Sequence, residues 1–185
     1  MSRLQNREVN MLTYQNQASD IVIVFSTTTL DHFARNRQLQ PSSAEAGGQL
    51  FATFDGGIAL IELATGPRLT DHRSRYGFRP DRRAEQLEIK TMFKRGLHYV
   101  GDWHTHPAQI PYPSSEDLQN IRSAVNNSVH ELKGFLLVVV GNAPFPLGLA
   151  VRFDTGNGMV LLQATSTKVI SKHKDLFNRD DLEEV

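Results

Sequence analysis

Residues 97–107 are Leu-His-Tyr-Val-Gly-Asp-Trp-His-Thr-His-Pro, an apolar stretch that ends in two histidines separated by one residue. Such a stretch is typical of a β-strand, and it stops at Pro107, which has no N–H to give to a ladder. Because side chains alternate between the two faces of a strand, His104 and His106 point to the same side. Asp117 follows where a loop is expected to enter a helix, so its carboxylate can turn back towards the imidazoles. Two imidazoles, one carboxylate and an open fourth position are the ligand set of a catalytic zinc site, and the stretch therefore predicts a zinc hydrolase.

Two further side chains are candidates for the chemistry that a zinc hydrolase needs. The attacking water requires a base to take its proton and a donor to hold the oxyanion. Glu45 is the candidate base, because Gly47 and Gly48 just after it allow another element to approach the backbone closely. Ser114, three residues before Asp117, is the candidate oxyanion donor. A serine followed three residues later by an acid also fits a helix capping box, so capping stays open as another role for this pair.

The composition limits the class of protein. The chain has 185 residues, of which 39% are hydrophobic and 22% are charged, and this favours one globular domain with a sizeable core. It has no cysteine, so disulfides and thiolate ligands are excluded, and a metal must be held by His, Asp or Glu. The formal net charge of zero argues against a nucleic-acid partner. No stretch has the apolar length of a signal peptide or a membrane span, so we expect a cytoplasmic protein that does not bind membranes.

Outward from the histidine strand, hydrophobic periodicity predicts an α+β fold. Further strands are expected at 21–25, 49–54, 58–64, 134–140, 147–153 and 159–164. Helices are expected at 30–37, 81–94 and 116–125, the second with a packing face that includes Leu87 and Phe93. Residues 66–80 are rich in charge and lack a clear period, which indicates an exposed loop or an irregular strand. These elements predict a curved, mostly antiparallel sheet flanked by two or three helices.

Changes in composition divide the chain into three segments. Residues 1–20 are polar and are expected to form a loose arm or an edge segment. Residues 21–165 are expected to form the domain that carries the candidate site. Residues 166–185 are expected to form a charged tail.

The candidate residues also resemble a known motif in type, order and spacing. They are similar to the JAMM motif of the JAB1/MPN zinc metalloproteases at Glu45, Gly47, Gly48, His104, His106, Pro107, Ser114 and Asp117. The resemblance covers residues 21–164 and implies the MPN (JAMM) fold, with Zn²⁺ bound by His104, His106 and Asp117. It also implies that Glu45 is the general acid/base and that Ser114 is the oxyanion donor. Every one of these positions holds the expected residue type, so the resemblance implies an active enzyme.

A narrower resemblance points to the prokaryotic branch of that family. Residues 96–107 and the upstream Asp71-His72-Arg73-Ser74-Arg75 are similar to stand-alone JAB proteases of bacterial mobile elements and antiphage islands. In cyclic-oligonucleotide-based antiphage systems, such a protease accompanies an E1–E2-like ligase and frees the C-terminus of a nucleotidyltransferase from its conjugates. The resemblance thus implies an isopeptidase or peptidase that cleaves after the C-terminus of a ubiquitin-like or otherwise conjugated protein. The extended tail of that protein substrate would lie in the cleft.

Two other functions stay open. The chain would be a non-catalytic MPN module if it bound partners and kept the metal only for structure, although an intact Glu45 argues against this. It would be a processing protease if its substrate were a sulfur-carrier protein of ubiquitin fold. Relatives in the family occur both alone and paired, so the resemblance leaves the oligomeric state open.

Three features near the motif have two interpretations each. His98 has the strand parity of the histidine pair, so it is either a surface residue or a further ligand. Trp103 either lines the cleft or packs in the core. The arginines of residues 66–80 are either a solvated surface or a clamp for an extended substrate tail, which would add there as a strand.

Overall fold

The computed structural model describes residues 11–16 and 21–165, where ten strands and three helices form a sheet-rich fold. The strands are β1 Leu12–Gln15, β2 Val22–Phe25, β3 Gly47–Asp55, β4 Ile58–Ala64, β5 His72–Ser74, β6 Gly77–Arg79, β7 His98–Thr105, β8 Phe135–Val140, β9 Leu149–Asp154 and β10 Met159–Thr165. The helices are α1 Thr27–Asn36, α2 Arg82–Phe93 and α3 Ser115–Asn127. The predicted α+β class and the third helix are confirmed. The predicted charged tail, 166–185, lies outside the described residues.

Eight of the strands close into a barrel in the order β1-β10-β9-β8-β7-β3-β4-β2, while β5 and β6 form a separate hairpin. Six of the eight strand pairs in the barrel are antiparallel, and β2–β4 and β7–β8 are parallel. The sequence predicts a curved sheet and does not predict its closure. Within the described ranges, no helix has the length and apolar character needed to cross a membrane.

Closure depends on β1, which lies in the segment expected to be an arm or an edge. Thr13 pairs with Val24 of β2 on one side and with Thr165 of β10 on the other. Tyr14 is buried, and its ring meets that of Phe25 edge-on at 5.6 Å between centroids. Tyr14, together with the partly buried Leu12 two residues earlier, therefore anchors this short strand on the core.

Helix α1 packs against the core next to the histidine strand. It begins three residues earlier than predicted, because Ser26 is its N-cap and accepts a hydrogen bond from the Thr29 N–H at 3.2 Å. Phe33 is fully buried, with its ring 5.1 Å from that of Trp103. Trp103 is buried too and donates its indole N–H to the Thr65 carbonyl at 2.9 Å. Trp103 is therefore a core residue.

Helix α2 has the predicted bounds but only part of the predicted packing face. Asp81 caps it by accepting hydrogen bonds from two backbone N–H groups of the first turn. Of the four residues expected to face inward, Leu87 and Phe93 are 68% and 63% exposed, and Ile89 and Met92 are half-buried. Glu85, by contrast, is buried. The inner face of α2 carries acids because Arg68 lies against it and forms ion pairs with Glu85 and Glu88.

The charged segment 66–80 is an ordered hairpin, β5–β6, rather than a plain loop. Its base is held by Asp71, whose carboxylate accepts the backbone N–H groups of Arg68 at 2.5 Å and Asp81 at 2.8 Å. The side chains of His72–Ser74 are exposed, as expected for this segment. The hairpin thus stands outside the barrel on a fixed base.

Candidate metal centre

The residues predicted for the site meet at one end of the barrel, where β7 ends and β3 begins. Gly47 pairs with His104 across these strands, which brings Glu45 beside the histidines. His106 lies just beyond β7 and donates its backbone N–H to the Val140 carbonyl at 2.9 Å. The two imidazoles turn towards each other, with 3.1 Å between their Nε2 atoms.

Asp117 at the start of α3 completes a set of three converging donor atoms. Its Oδ2 lies 3.2 Å from His104 Nε2 and 3.5 Å from His106 Nε2. In tetrahedral zinc sites with metal–ligand bonds of about 2.0–2.1 Å, ligand atoms are about 3.3 Å apart. The three distances between these donors lie on either side of that value, so the donor set fits a bound metal ion.

The protonation states also suit metal binding. Burial alone would raise the pKa of Asp117, but the hydrogen bond and charge of His104 and the hydrogen bonds from Ser114 hold that pKa well below its usual range. Burial lowers the pKa of His106, and the neighbouring charge of His104 lowers it further. A carboxylate and a neutral imidazole are the forms that coordinate a metal at neutral pH.

Glu45 stands next to this set and is 7% exposed. One oxygen of its carboxylate and a ring nitrogen of each histidine all lie within 4.8 Å of one another. Burial, together with the charges of Asp117 and Glu116, raises the pKa of Glu45 to about 7, against the opposing charge of His104. A carboxyl group that titrates near neutral pH can both accept and release a proton, as a general acid/base must.

Ser114 and Asp117 form the capping box that the sequence left open. The Ser114 hydroxyl accepts the Asp117 N–H at 3.1 Å, and Asp117 Oδ2 accepts the Ser114 N–H at 2.6 Å. The same Oδ2 faces the imidazoles, so the box aims the carboxylate at the donor set. The Ser114 hydroxyl also lies within hydrogen-bonding reach of the Asp117 carboxylate, and a hydrogen bond from it is one cause of the lowered pKa of Asp117.

The hairpin β5–β6 fixes the backbone of Glu45, a role that the sequence did not indicate. The Glu45 N–H donates to the Ser74 carbonyl at 2.7 Å, and Arg73 Nε donates to the Glu45 carbonyl at 2.6 Å. Phe78 lies so close over Gly47 that a Cβ there would come within 2.6 Å of its ring. One indirect indication of this role was present in the sequence, because Arg73 lies in the segment that is similar to the prokaryotic branch of the family.

His98 lies away from His104, His106 and Asp117, so it is not the further metal ligand that its position on the strand allowed. Its ring packs between those of Phe54 and Phe93, each at 5.6 Å. His98 precedes His104 by six residues, about 20 Å along β7, and a register shift between Leu50 and Phe51 lies between the two positions. An irregularity of one residue reverses the face to which later residues point.

A cleft beside the histidines holds a second buried acid. Glu85 lies in it next to Asp102, which accepts the Tyr99 hydroxyl at 2.9 Å. Burial and the charge of Asp102 raise the pKa of Glu85 to about 7, although Arg82, at 3.0 Å, opposes this. Glu85 is therefore only partly ionised at neutral pH. The wall of the cleft carries less negative charge than it would if all its carboxyl groups were ionised.

A family described as prokaryotic homologues of the JAB domain matches residues 26–153. A protein named CD-NTase/cGAS isopeptidase from Enterobacter hormaechei is 27% identical over 146 residues, which are 78% of this chain and 81% of the relative. A protein of the same name from Vibrio cholerae is 33% identical over 135 residues, 70% of this chain and 83% of the relative. A Sinorhizobium fredii protein named "Probable metalloprotease" is 35% identical over 88 residues, 45% of this chain and 54% of the relative. The family match spans every residue of the candidate site.

Proposed function

Because the chain belongs to the family of prokaryotic homologues of the JAB domain, we propose that it is a metal-dependent isopeptidase. The observation that carries the proposal is the convergence of two imidazoles and one carboxylate, at 3.1 to 3.5 Å, beside a buried glutamate. The names of its relatives, an isopeptidase and a metalloprotease, support the same class of reaction.

The metal we propose is Zn²⁺, held by His104, His106 and Asp117. Two nitrogen donors and one oxygen donor, with a fourth position left for water, are typical of catalytic zinc. When bound, the ion would acidify a water molecule and polarise the substrate carbonyl.

The residues of the chain would move the protons and hold the substrate. Glu45 takes a proton from the attacking water, whose oxygen adds to the carbonyl carbon of the isopeptide bond. The Ser114 hydroxyl donates a hydrogen bond to the carbonyl oxygen as negative charge develops there. The C–N bond then breaks, and Glu45 passes its proton to the leaving lysine amine.

The substrate we propose is a nucleotidyltransferase of the CD-NTase class, conjugated through its C-terminus. The printed name of the relatives, CD-NTase/cGAS isopeptidase, supports this choice. The enzyme would then reverse an E1–E2-like conjugation in cytoplasmic antiphage defence. An extended C-terminal tail would lie in the cleft beside the hairpin β5–β6, where Phe78 and Glu45 both line the wall.

The test is cleavage of a fusion in which a CD-NTase C-terminal tail precedes a reporter protein. The wild type is compared with the chelator-treated enzyme, with Glu45→Gln, and with Glu131→Gln as a matched exposed control. We expect Glu45→Gln to cut on the order of 10²–10⁴-fold more slowly while it binds about one zinc per chain. Glu131→Gln should match the wild type, and zinc should restore the chelated enzyme.

Two results would contradict this proposal. Undiminished cleavage by Glu45→Gln or by the chelated enzyme would rule out the metal-dependent mechanism. Zinc binding without cleavage of any tail, including one that extends beyond a Gly-Gly terminus of a sulfur carrier, would instead favour the non-catalytic binding module.

A further inference from the structure

Gln38, just after α1, is only 2% exposed, although glutamines usually lie at the surface. Its amide bonds to three different segments of the chain. Nε2 donates to the carbonyls of Ser43 at 3.2 Å and Arg75 at 2.8 Å, and Oε1 accepts the Thr105 hydroxyl at 3.0 Å. Because two carbonyls require a donor, these partners determine the orientation of the amide. Gln38 is therefore a buried junction between the three segments.

The first connection leads to the histidine strand. Thr105 stands between the two histidines of the site and is fully buried. Its hydroxyl donates to Gln38 and accepts the Ala46 N–H at 2.9 Å, while its backbone N–H donates to the Ala46 carbonyl at 2.8 Å. Ala46 directly follows Glu45, so these hydrogen bonds fix the position of Glu45 relative to the two histidines.

The second connection leads to the hairpin over the base. Arg75, whose carbonyl accepts from Gln38, begins the β5–β6 turn, and its guanidinium donates to the Gln40 carbonyl at 3.1 Å. The preceding residue, Ser74, accepts the Glu45 N–H. The hairpin that holds the base is thus itself attached at Gln38.

We propose that Gln38 is a positioning residue, which holds Glu45 and the hairpin in register with the two histidines. The inference rests on the proposed function, because it concerns the geometry of the same base. Its amide bonds to Thr105, Ser43 and Arg75, so it acts through these neighbours. A displacement of about 1 Å at a reacting group can cost on the order of 100-fold in rate, so we expect the loss to fall on kcat.

The test replaces Gln38 by a residue of similar volume that has no amide group. Gln38→Met keeps the volume and removes all three hydrogen bonds, and Gln40→Met makes the same change at an exposed side chain two residues away. With the zinc-loaded full chain, we measure kcat and KM on the fusion substrate, bound zinc, and hydrogen–deuterium exchange at 72–79 and at 149–165. Gln38→Met should lower kcat about 10- to 100-fold with KM and bound zinc near wild type, and exchange should rise at 72–79 only.

A second variant tests the connection to the histidine strand. Thr105→Val removes the hydroxyl that bonds to Gln38, and it should lower kcat as Gln38→Met does. Because both changes break one chain of hydrogen bonds, the double variant should be no slower than the slower single variant. A double variant whose loss of kcat is the product of the two single losses would overturn the inference.

The remaining outcomes separate this inference from the proposed function. A Gln38→Met enzyme with wild-type kcat and wild-type exchange at 72–79 would overturn the inference. Exchange that rises equally at 149–165 would also overturn it, because Gln38 would then only stabilise the fold. A wild type that does not cut the fusion substrate would overturn the proposed function, and unchanged exchange at 72–79 in Gln38→Met would separately overturn the inference.

Discussion

Asp117 serves a helix end and a candidate metal site with the same oxygen atom. Its Oδ2 accepts the Ser114 N–H and faces both imidazoles. Capping and metal binding are therefore compatible roles, and the capping box explains how a residue at a helix start is held in place for the site. The box also lowers the pKa of Asp117, which keeps the carboxylate ready for a cation.

Ser114 allows the two roles to be separated by substitution. Ser114→Ala should cost about 1 kcal/mol of unfolding free energy, because it removes the N-cap. It should also lower kcat on the order of 10²–10³-fold, because it removes the oxyanion donor. Ser114→Gly lacks the hydroxyl but is tolerated at an N-cap at a cost of only about 0.3 kcal/mol. Urea unfolding measures the loss of the cap, and kcat measures the loss of the oxyanion donor. A Ser114→Gly enzyme with wild-type kcat would show that Ser114 serves only as a helix cap.

Local sequence predicted the residues that carry the motif, but not those that position them. The histidines, Asp117 and Glu45 have chemical types and spacings that can be seen along the chain. Arg73 and Gln38 act through hydrogen bonds to residues that are distant in sequence, Glu45 and Thr105 among them, and the residues next to them do not indicate these bonds. Their roles depend on the fold and could not be inferred before it.

At the scale of elements, the predicted strands and helices agree with the structure where a strong period or cap exists. The failure at α2 came from treating Leu87 as a core residue. A helix period indicates which residues share a face, but it does not say that the face packs on an apolar surface. Here the facing surface is Arg68, a charged side chain from another segment, and it attracts acids to the buried side.

The start of β3 needs glycine because the loop after β4 approaches its backbone. A Cβ at Gly48 would lie 1.9 Å from the Thr65 carbonyl oxygen, whereas one at Gly158, in the β9–β10 turn, would meet nothing within 4 Å. We expect Gly48→Ala to lose about 3 kcal/mol of unfolding free energy or more, because the backbone has to move. Gly158→Ala is the control and should stay near wild type. Equal urea midpoints for the two variants would contradict the prediction.

At the scale of the whole molecule, closure of the barrel was the feature hardest to predict. The sequence indicates where strands occur, but the pairing of β1 with β10 joins residues 152 positions apart. Only Leu12 and Tyr14 in β1 are apolar, and they alternate with the polar Thr13 and Gln15. An alternation over only four residues is too short a pattern to identify a strand.

The stability of the whole protein should depend on pH through Glu85. Its pKa is raised from 4.5 to about 7, so its contribution to stability is complete below about pH 4.5 and is lost as the pH rises through 7. Relative to Glu85→Gln, the wild type should therefore lose about 3 kcal/mol of unfolding free energy between pH 4.5 and pH 7.5. Urea unfolding at several pH values measures this difference, in which the effect of Glu45 cancels. Glu131→Gln is the exposed control, and a Glu85→Gln curve parallel to that of the wild type would contradict the prediction.

The contact between β1 and β10 also dictates an order of events during synthesis. β1 leaves the ribosome before its partner β10, which ends at residue 165. Until that residue emerges, the edges of β1 and β9 have no partner, and unpaired edges are where nascent chains associate with one another. Contacts across such a separation also slow the final step of folding. Translation speed through the last strand, and chaperones that cover open sheet edges, should therefore govern how much active protein a cell obtains.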